Sequence, residues 1–137
     1  MDSATAAAVA RDAGKELYML HTSYGQRTED KELECARAQA EHFDAADFLH
    51  LTTDHLSKIG DSSLTDDDVE VEDADLESEE VPSSYVPFRN SNLLSMAVSY
   101  AEANECCSVY IGAHSEDFSG YPDCRPQFFE AFQQVVD

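Results

Sequence analysis

Four short polar clusters hold the side chains best suited to chemistry: Met1-Asp2-Ser3, Tyr24-Gly25-Gln26-Arg27, Tyr85 through Asn90, and Glu116 through Arg125. Each falls just after a predicted strand or at a predicted helix start, where loops on a rigid scaffold carry binding and catalytic groups. Arg27, Arg89 and Arg125 are three of only eight basic residues in the chain. A guanidinium offers planar donors for phosphate or carboxylate; an arginine standing alone serves equally in a surface ion pair. Asp2 and Ser3 open a helix, whose first N–H groups and dipole suit a phosphate; the same two residues also suit an ordinary N-cap.

The elements that must position these clusters are legible from periodicity. Asp2 to Ala13 is Ala-rich and Gly14 stops it, which predicts a helix at the start of the chain. Leu17 to His21 reads as a buried strand. Thr28 is the expected N-cap of a second helix, with Glu29 and Asp30 in its first turn and a stripe of Leu33, Ala36, Ala40 and Phe43. Asp47 to Leu51 is a second strand, and Thr53 to Ile59 makes two helical turns closed by Gly60. Asp61 to Ser84 lacks any sustained apolar period and reads as a long acidic loop. Asn90 to Ala103 presents a wide apolar helix face through Leu93, Leu94, Met96, Ala97, Tyr100 and Ala101. Ser108 to Gly112 is a third expected strand, and Pro126 opens a last helix striped by Phe128, Phe129, Phe132 and Val135. Strands separated by helices imply parallel pairing and right-handed crossovers, hence an α/β, doubly wound sheet. Such folds begin with a strand, whereas this chain begins with the helix that should follow one, and ligands bind where that strand turns into that helix.

Composition bounds the function further. The 137 residues carry 29 acids against 8 bases, a formal charge of -21. Scattered single cations cannot track a nucleic-acid backbone. Eleven acids and no base lie between Asp61 and Glu80, yet the remainder is still strongly acidic, so the whole surface is. Such a surface repels itself in dilute salt and stops doing so where screening is compressed, which reads as a halophile's cytoplasmic protein. The competing reading is an acidic interaction module. Cys35, Cys106, Cys107 and Cys124 include no C-x-x-C pair, and no apolar run suits a membrane span or signal peptide. His21, His42, His50 and His55 lack mutual metal spacing, and His114 reads as a loop residue. Cys124 is either a nucleophile or an inert buried thiol.

The series Tyr-Gly-Gln-Arg (24–27), Ser-Ser-Leu-Thr (62–65), Tyr-Val-Pro-Phe-Arg-Asn (85–90) and Asp-Phe-Ser-Gly-Tyr-Pro-Asp-Cys-Arg (117–125), in that order, resembles the 7-cyano-7-deazaguanine synthase family. The resemblance covers the whole chain, and its longest motif is also the most specific. The family's pyrophosphatase (PP) loop reads S-G-G-x-D-S, and Met1-Asp2-Ser3 is similar to its last three positions. On this resemblance residues 1–137 are expected to be a partial PP-loop domain, with an acidic loop at about 61–84. The expected fold is a doubly wound sheet like that of the adenine nucleotide α-hydrolases, lacking its first strand and a C-terminal zinc segment.

The resemblance implies an ATP-dependent ligase joining 7-carboxy-7-deazaguanine and ammonia into 7-cyano-7-deazaguanine, for archaeosine or queuosine in transfer RNA. The carboxylate would be activated as an acyl-adenylate, captured as an amide, and dehydrated after a second activation. Implied catalytic residues are Arg27, Arg89, Asp123 and Arg125. Asp2, Ser3 and Gly112 would bind ATP, with Asp2 orienting the loop or helping to hold Mg2+. Tyr24, Gln26, Asn90 and Tyr121 would contact substrate, Tyr121 stacking on the deazaguanine ring, unless the Ser-Gly-Tyr-Pro turn merely caps the last helix. The family's zinc has no cysteine site among these residues. Small-molecule partners, no direct nucleic acid or membrane, and a homodimer among the allowed assemblies complete the expectation. The alternative is an inactive fragment or a nucleotide-binding module of the same fold.

Overall fold

Tyr18–Ser23 (β1) and Asp47–Thr52 (β2) lie side by side in parallel, in register from Tyr18 opposite Asp47 to Ser23 opposite Thr52. They are joined through helix α2, Glu29–His42. Parallel neighbours need such a crossover, because no tight turn can return the chain to the same end of the sheet. The computed structural model describes residues 2–60, 85–113 and 120–137. The acidic loop at about 61–84, the Ser62–Thr65 motif, Met1, His114 and positions 116–119 of the last cluster lie outside the described residues.

Before β1 runs α1, Asp2–Asp12, an Ala-rich helix that stops where Gly14 takes φ +71°, a conformation costly for any side chain with a Cβ. After β2 come α3, His55–Ile59, and Gly60 at φ +76°. Helix α4 spans Arg89–Ala103. A single 3-10 turn at Pro122–Cys124 leads into α5, Pro126–Val136, which has proline at its first turn, where the missing N–H is no loss.

Two apolar clusters hold these pieces together. Ala7 and Ala10 of α1 meet Leu17 at the start of β1, with Met19, Phe43 and Ala45 packed around them. Small alanines let α1 lie close to the sheet. At the opposite, carboxyl end of β1, Tyr24, Leu56 and Val86 form a second cluster that joins the β1 loop to α3 and to the chain entering α4. Leu56 and Val86 are each only 2% exposed, and burying one such side chain contributes about 1.5–3 kcal/mol.

The α/β class and parallel pairing are as expected, and two local expectations are corrected. Ser108–Gly112 is not a strand: among the described residues the sheet has two strands, and Val109, Tyr110 and Ile111 are 37% to 44% exposed. Apolar patterning marks a segment fit for a sheet, but a strand exists only when a neighbour pairs with its N–H and C=O groups. Thr28 stands at the N-cap of α2 as expected, although its hydroxyl donates to Glu32 Oε1 at 2.6 Å and caps no backbone N–H. Val135 does not share the buried stripe of α5 and is 80% exposed, whereas Phe128, Phe129 and Phe132 are half-buried.

Candidate functional site

The loop leaving β1 is locked by its own side chains. Ser23 is buried and its hydroxyl shares a 2.8 Å hydrogen bond with Nε2 of His50 on β2. The Tyr24 N–H donates to Gln26 Oε1 at 2.8 Å, the Gly25 N–H to Glu29 Oε2 at 2.9 Å, and the Gln26 amide to Glu32 Oε2 at 2.9 Å. Gly25 sits at φ +88°, and a Cβ there would stand 2.9 Å from Cβ of Ser57, so both the turn and the close approach of α3 require glycine. Gln26, expected to touch substrate, is buried and places its amide within this loop.

Arg89, at the first position of α4, donates from Nη1 to the Tyr24 hydroxyl at 3.2 Å, joining two clusters 65 positions apart. Burial alone would lower its pKa, but the Tyr24 oxygen, Asp123 and Cys124 outweigh that, and the shift is upward. Among the described residues no ion pair involves Arg89. Its guanidinium has five N–H donors, so a partly desolvated fork beside a phenol is well suited to an anionic ligand.

Asn90 and Asp123 fasten the start of α4 to the 3-10 turn. Asp123 Oδ2 accepts from the Asn90 N–H at 2.7 Å, while the Asn90 amide donates to the Asp123 carbonyl at 3.0 Å and to Sγ of Cys124 at 3.2 Å. Asp123 thus serves as a helix cap supplied from another element, satisfying one of the orphan donors of the first turn. Tyr121 stacks on Tyr85, with ring centroids 5.9 Å apart and planes 24° from parallel. Before Arg89, Phe88 adopts φ 57°, a strained conformation for an aromatic residue, with its N–H held by the Tyr85 hydroxyl at 3.0 Å.

The N-terminus of α1 reaches the same region. A Cβ on Gly112 would lie 2.5 Å from the Asp2 carbonyl carbon and 2.7 Å from the Ser3 nitrogen, so Gly112 abuts the first turn of α1. One cavity of about 640 Å³ has Ser3, Gly112, Tyr24, Arg89 and Asn90 among its walls. Five of the expected site residues therefore share one space. Arg27 and Arg125 are exposed and lie off this cavity, as do Gln26, Tyr121 and Asp123.

Histidines left to structural roles in the sequence do more than fill space. His55 bridges the Thr53 hydroxyl, at Nδ1, and Asn92 Oδ1, at 2.9 Å from Nε2, tying α3 to α4. His21 lies 5.7 Å from His50 between ring centroids, and its Nε2 is buried without a hydrogen-bond partner among the described residues. Burial first, and then the neighbouring His50, hold its pKa below 6.5. The two histidines occupy matching positions in adjacent strands, a pairing invisible until β1 and β2 are in register. Among the described residues no cluster of three or more His, Cys, Asp or Glu could hold a metal ion, and no helix is long and apolar enough to cross a membrane.

A family model described as queuosine biosynthesis protein QueC matches residues 1–137. The chain is 77% identical over 136 residues to a 7-cyano-7-deazaguanine synthase of Halobacterium salinarum, covering 99% of this chain and 59% of that protein. It is 72% identical over 138 residues to the synthase of Haloarcula marismortui, with 100% and 60% coverage. The synthase of Methanoculleus marisnigri is 56% identical over 137 residues, with 100% and 62% coverage. The chain spans about three-fifths of the length of the curated relatives it matches. The haloarchaeal sources of the first two accord with reading the acidic surface as an adaptation to salt.

Proposed function

The chain belongs to the family of queuosine biosynthesis protein QueC, and from that premise we propose that it carries the nucleotide-binding part of an ATP-dependent, cytoplasmic ligase. The reaction is conversion of 7-carboxy-7-deazaguanine and ammonia to 7-cyano-7-deazaguanine, for deazapurine modification of transfer RNA. The reading draws its support from the name and identity of the relatives. The structural observation that carries it is the cavity on which Ser3 and Gly112 meet Tyr24, Arg89 and Asn90.

Making a nitrile from a carboxylate removes two oxygens from one carbon and brings in one nitrogen. Each oxygen must first become a leaving group, which is what ATP supplies. The chain's part is to hold anions close together. The first N–H groups of α1 and the Ser3 hydroxyl would meet phosphate oxygens, and Gly112 lets its segment pack directly against that first turn, where any side chain would clash with the Asp2 carbonyl and the Ser3 nitrogen. Arg89, oriented by Tyr24, holds a carboxylate or phosphate and stabilises charge that grows as an oxygen departs. Asp2, in the first turn of α1, would offer one carboxylate oxygen to Mg2+, an ion that commonly takes one or two carboxylates together with phosphates and water. Asp123 and Asn90 act by fixing the start of α4, and thereby Arg89. Within this reading the sheet is doubly wound, with the site at the carboxyl end of β1.

The test is made on a version extended to the length of the relatives, incubated with 7-carboxy-7-deazaguanine, ATP and an ammonium salt in molar KCl. Mass spectrometry is expected to show 7-cyano-7-deazaguanine formed with consumption of ATP. Absence of product, where the Halobacterium salinarum protein makes it, overturns the function. Arg89→Gln in that version is expected to lower kcat/KM by about 10²- to 10³-fold; unchanged turnover removes Arg89 from the site.

A further inference from the structure

Arg89 follows a residue held in a costly conformation. Phe88 has φ 57° and ψ 26°, it is 61% exposed, and its side chain caps no N–H of α4. A bulky residue does not keep the left-handed region unaided, so its surroundings must impose it. They act on both of its backbone polar groups: the Phe88 N–H donates to the Tyr85 hydroxyl at 3.0 Å, and its carbonyl accepts from Asn92 Nδ2 at 2.9 Å. This clamp sets the chain direction one residue ahead of Arg89.

The Asn92 side of the clamp leads to His55, which belongs to none of the four polar clusters. A carbonyl only accepts, so Asn92 must turn its Nδ2 to Phe88 and its Oδ1 to His55, whose Nε2 lies 2.9 Å away. Oδ1 also only accepts, so Nε2 carries the proton of the neutral imidazole, and Nδ1 is left to accept from the Thr53 hydroxyl. Thr53 is itself tied to the sheet, because its N–H donates to the Ser23 carbonyl at 2.8 Å. The residue after Ser23 is Tyr24, whose hydroxyl accepts from the Arg89 guanidinium. Hydrogen bonds and the chain between them thus close a ring, from Tyr24 through Thr53, His55, Asn92 and Phe88 to Arg89 and back.

We propose that His55 is a positioning residue for Arg89: through Asn92 it holds Phe88 in the left-handed conformation from which α4 starts, and so keeps the guanidinium at the Tyr24 side of the cavity. An asparagine amide can turn about its last bond, and the wrong turn would set its oxygen against the Phe88 carbonyl. The Nε2 proton of His55 removes that choice, and Thr53 holds His55 in the tautomer that has it. The part that Arg89 plays in holding an anion rests on the functional reading above; the ring of hydrogen bonds does not.

Three variants separate this role from a mere attachment of α3 to α4. A glutamine amide nitrogen stands near the place of Nε2 and an asparagine amide nitrogen near that of Nδ1, so His55→Gln keeps the bond to Asn92 and His55→Asn loses it. Asn92→Asp keeps an acceptor for His55 but has no N–H for the Phe88 carbonyl, so it preserves the attachment and cuts the relay. NMR of the 137-residue chain in molar KCl reads the HN–Hα coupling of Phe88 and the order parameter of Arg89 Nε. In His55→Asn and in Asn92→Asp the Phe88 coupling is expected to shift and the mobility of Arg89 Nε to rise about twofold or more, whereas His55→Gln stays close to the parent. An Arg89 unchanged in either of the first two variants, or disturbed by His55→Gln as much as by His55→Asn, overturns the proposal. In the extended version those first two variants are expected to lower kcat about tenfold. A loosened Arg89 with unchanged kcat would support the relay and count against Arg89 in the reaction, so the two failures are distinguishable.

Discussion

Arg89 and His21 show how the same carboxyl end of the sheet handles charge in opposite ways. Burial works against the charged form of Arg89, and the Tyr24 oxygen and the Asp123 carboxylate more than offset it, so this guanidinium is a permanent cation. His21 has its Nε2 buried and a second imidazole close by, so burial and His50 together disfavour its charged form. The native state therefore holds a neutral His21, while the unfolded chain takes up a proton below about 6.5. Stability falls as pH falls through 6.5 toward the lower folded value, and above 6.5 this residue contributes no slope. His21→Phe is expected to flatten the loss of stability between pH 7.5 and 5.5, read from urea unfolding in molar KCl. The carboxylates titrate alike in both proteins, so equal slopes would exclude His21 as the source.

Among the elements, α4 is the one whose placement matters most, because its first residue is Arg89 and its second, Asn90, is gripped by Asp123. The last turn of the chain's specific motif is thus used to aim a helix. Asp123→Ala removes a buried acceptor from a helix N-terminus and is expected to cost about 1–3 kcal/mol in urea unfolding. Asp123→Asn keeps an oxygen in place and should cost less than half of that. If both variants cost the same, the bond to the Asn90 N–H is not what Asp123 supplies. Helix α5 shows the converse: it has an apolar stripe but no buried residue, since Phe129, Phe132 and Val136 line an open cavity of about 920 Å³ with α4 and the 106–113 segment.

At the scale of the whole molecule the charge of -21 dominates. Among the described residues only three ion pairs offset it, and all are on the surface: Arg11–Asp44, Lys31–Glu34 and Lys58–Asp54. Exposed pairs of this kind contribute little, so long-range repulsion among the acids decides how stability responds to salt. The Debye length shrinks from about 10 Å at 0.1 M to about 3 Å at 1 M. The melting temperature is expected to climb steeply over that interval of KCl and flatten above it. A melting temperature independent of KCl would contradict the reading of the surface as adapted to salt.

The sequence by itself determined the α/β class, the two paired strands and the run of helices around them, and it marked candidate clusters, because apolar spacing, glycine stops and proline starts act over a few neighbours. Tyr24-Gly25-Gln26-Arg27 and Tyr85 through Asn90 could be marked as candidates from residue type alone, and Arg89 and Tyr24 do meet. Which member of each cluster faces the cavity was not legible. Gln26 turns inward to hold its loop, Asp123 caps a helix, and Arg27 and Arg125 lie on the surface. The same limit applied to Ser108–Gly112, whose pattern promised a strand that its surroundings do not complete. Only the tertiary structure decided these points, since a hydrogen-bond partner 33 or 65 positions away, or an unpaired sheet edge, is a property of two segments brought together and is written in neither one alone.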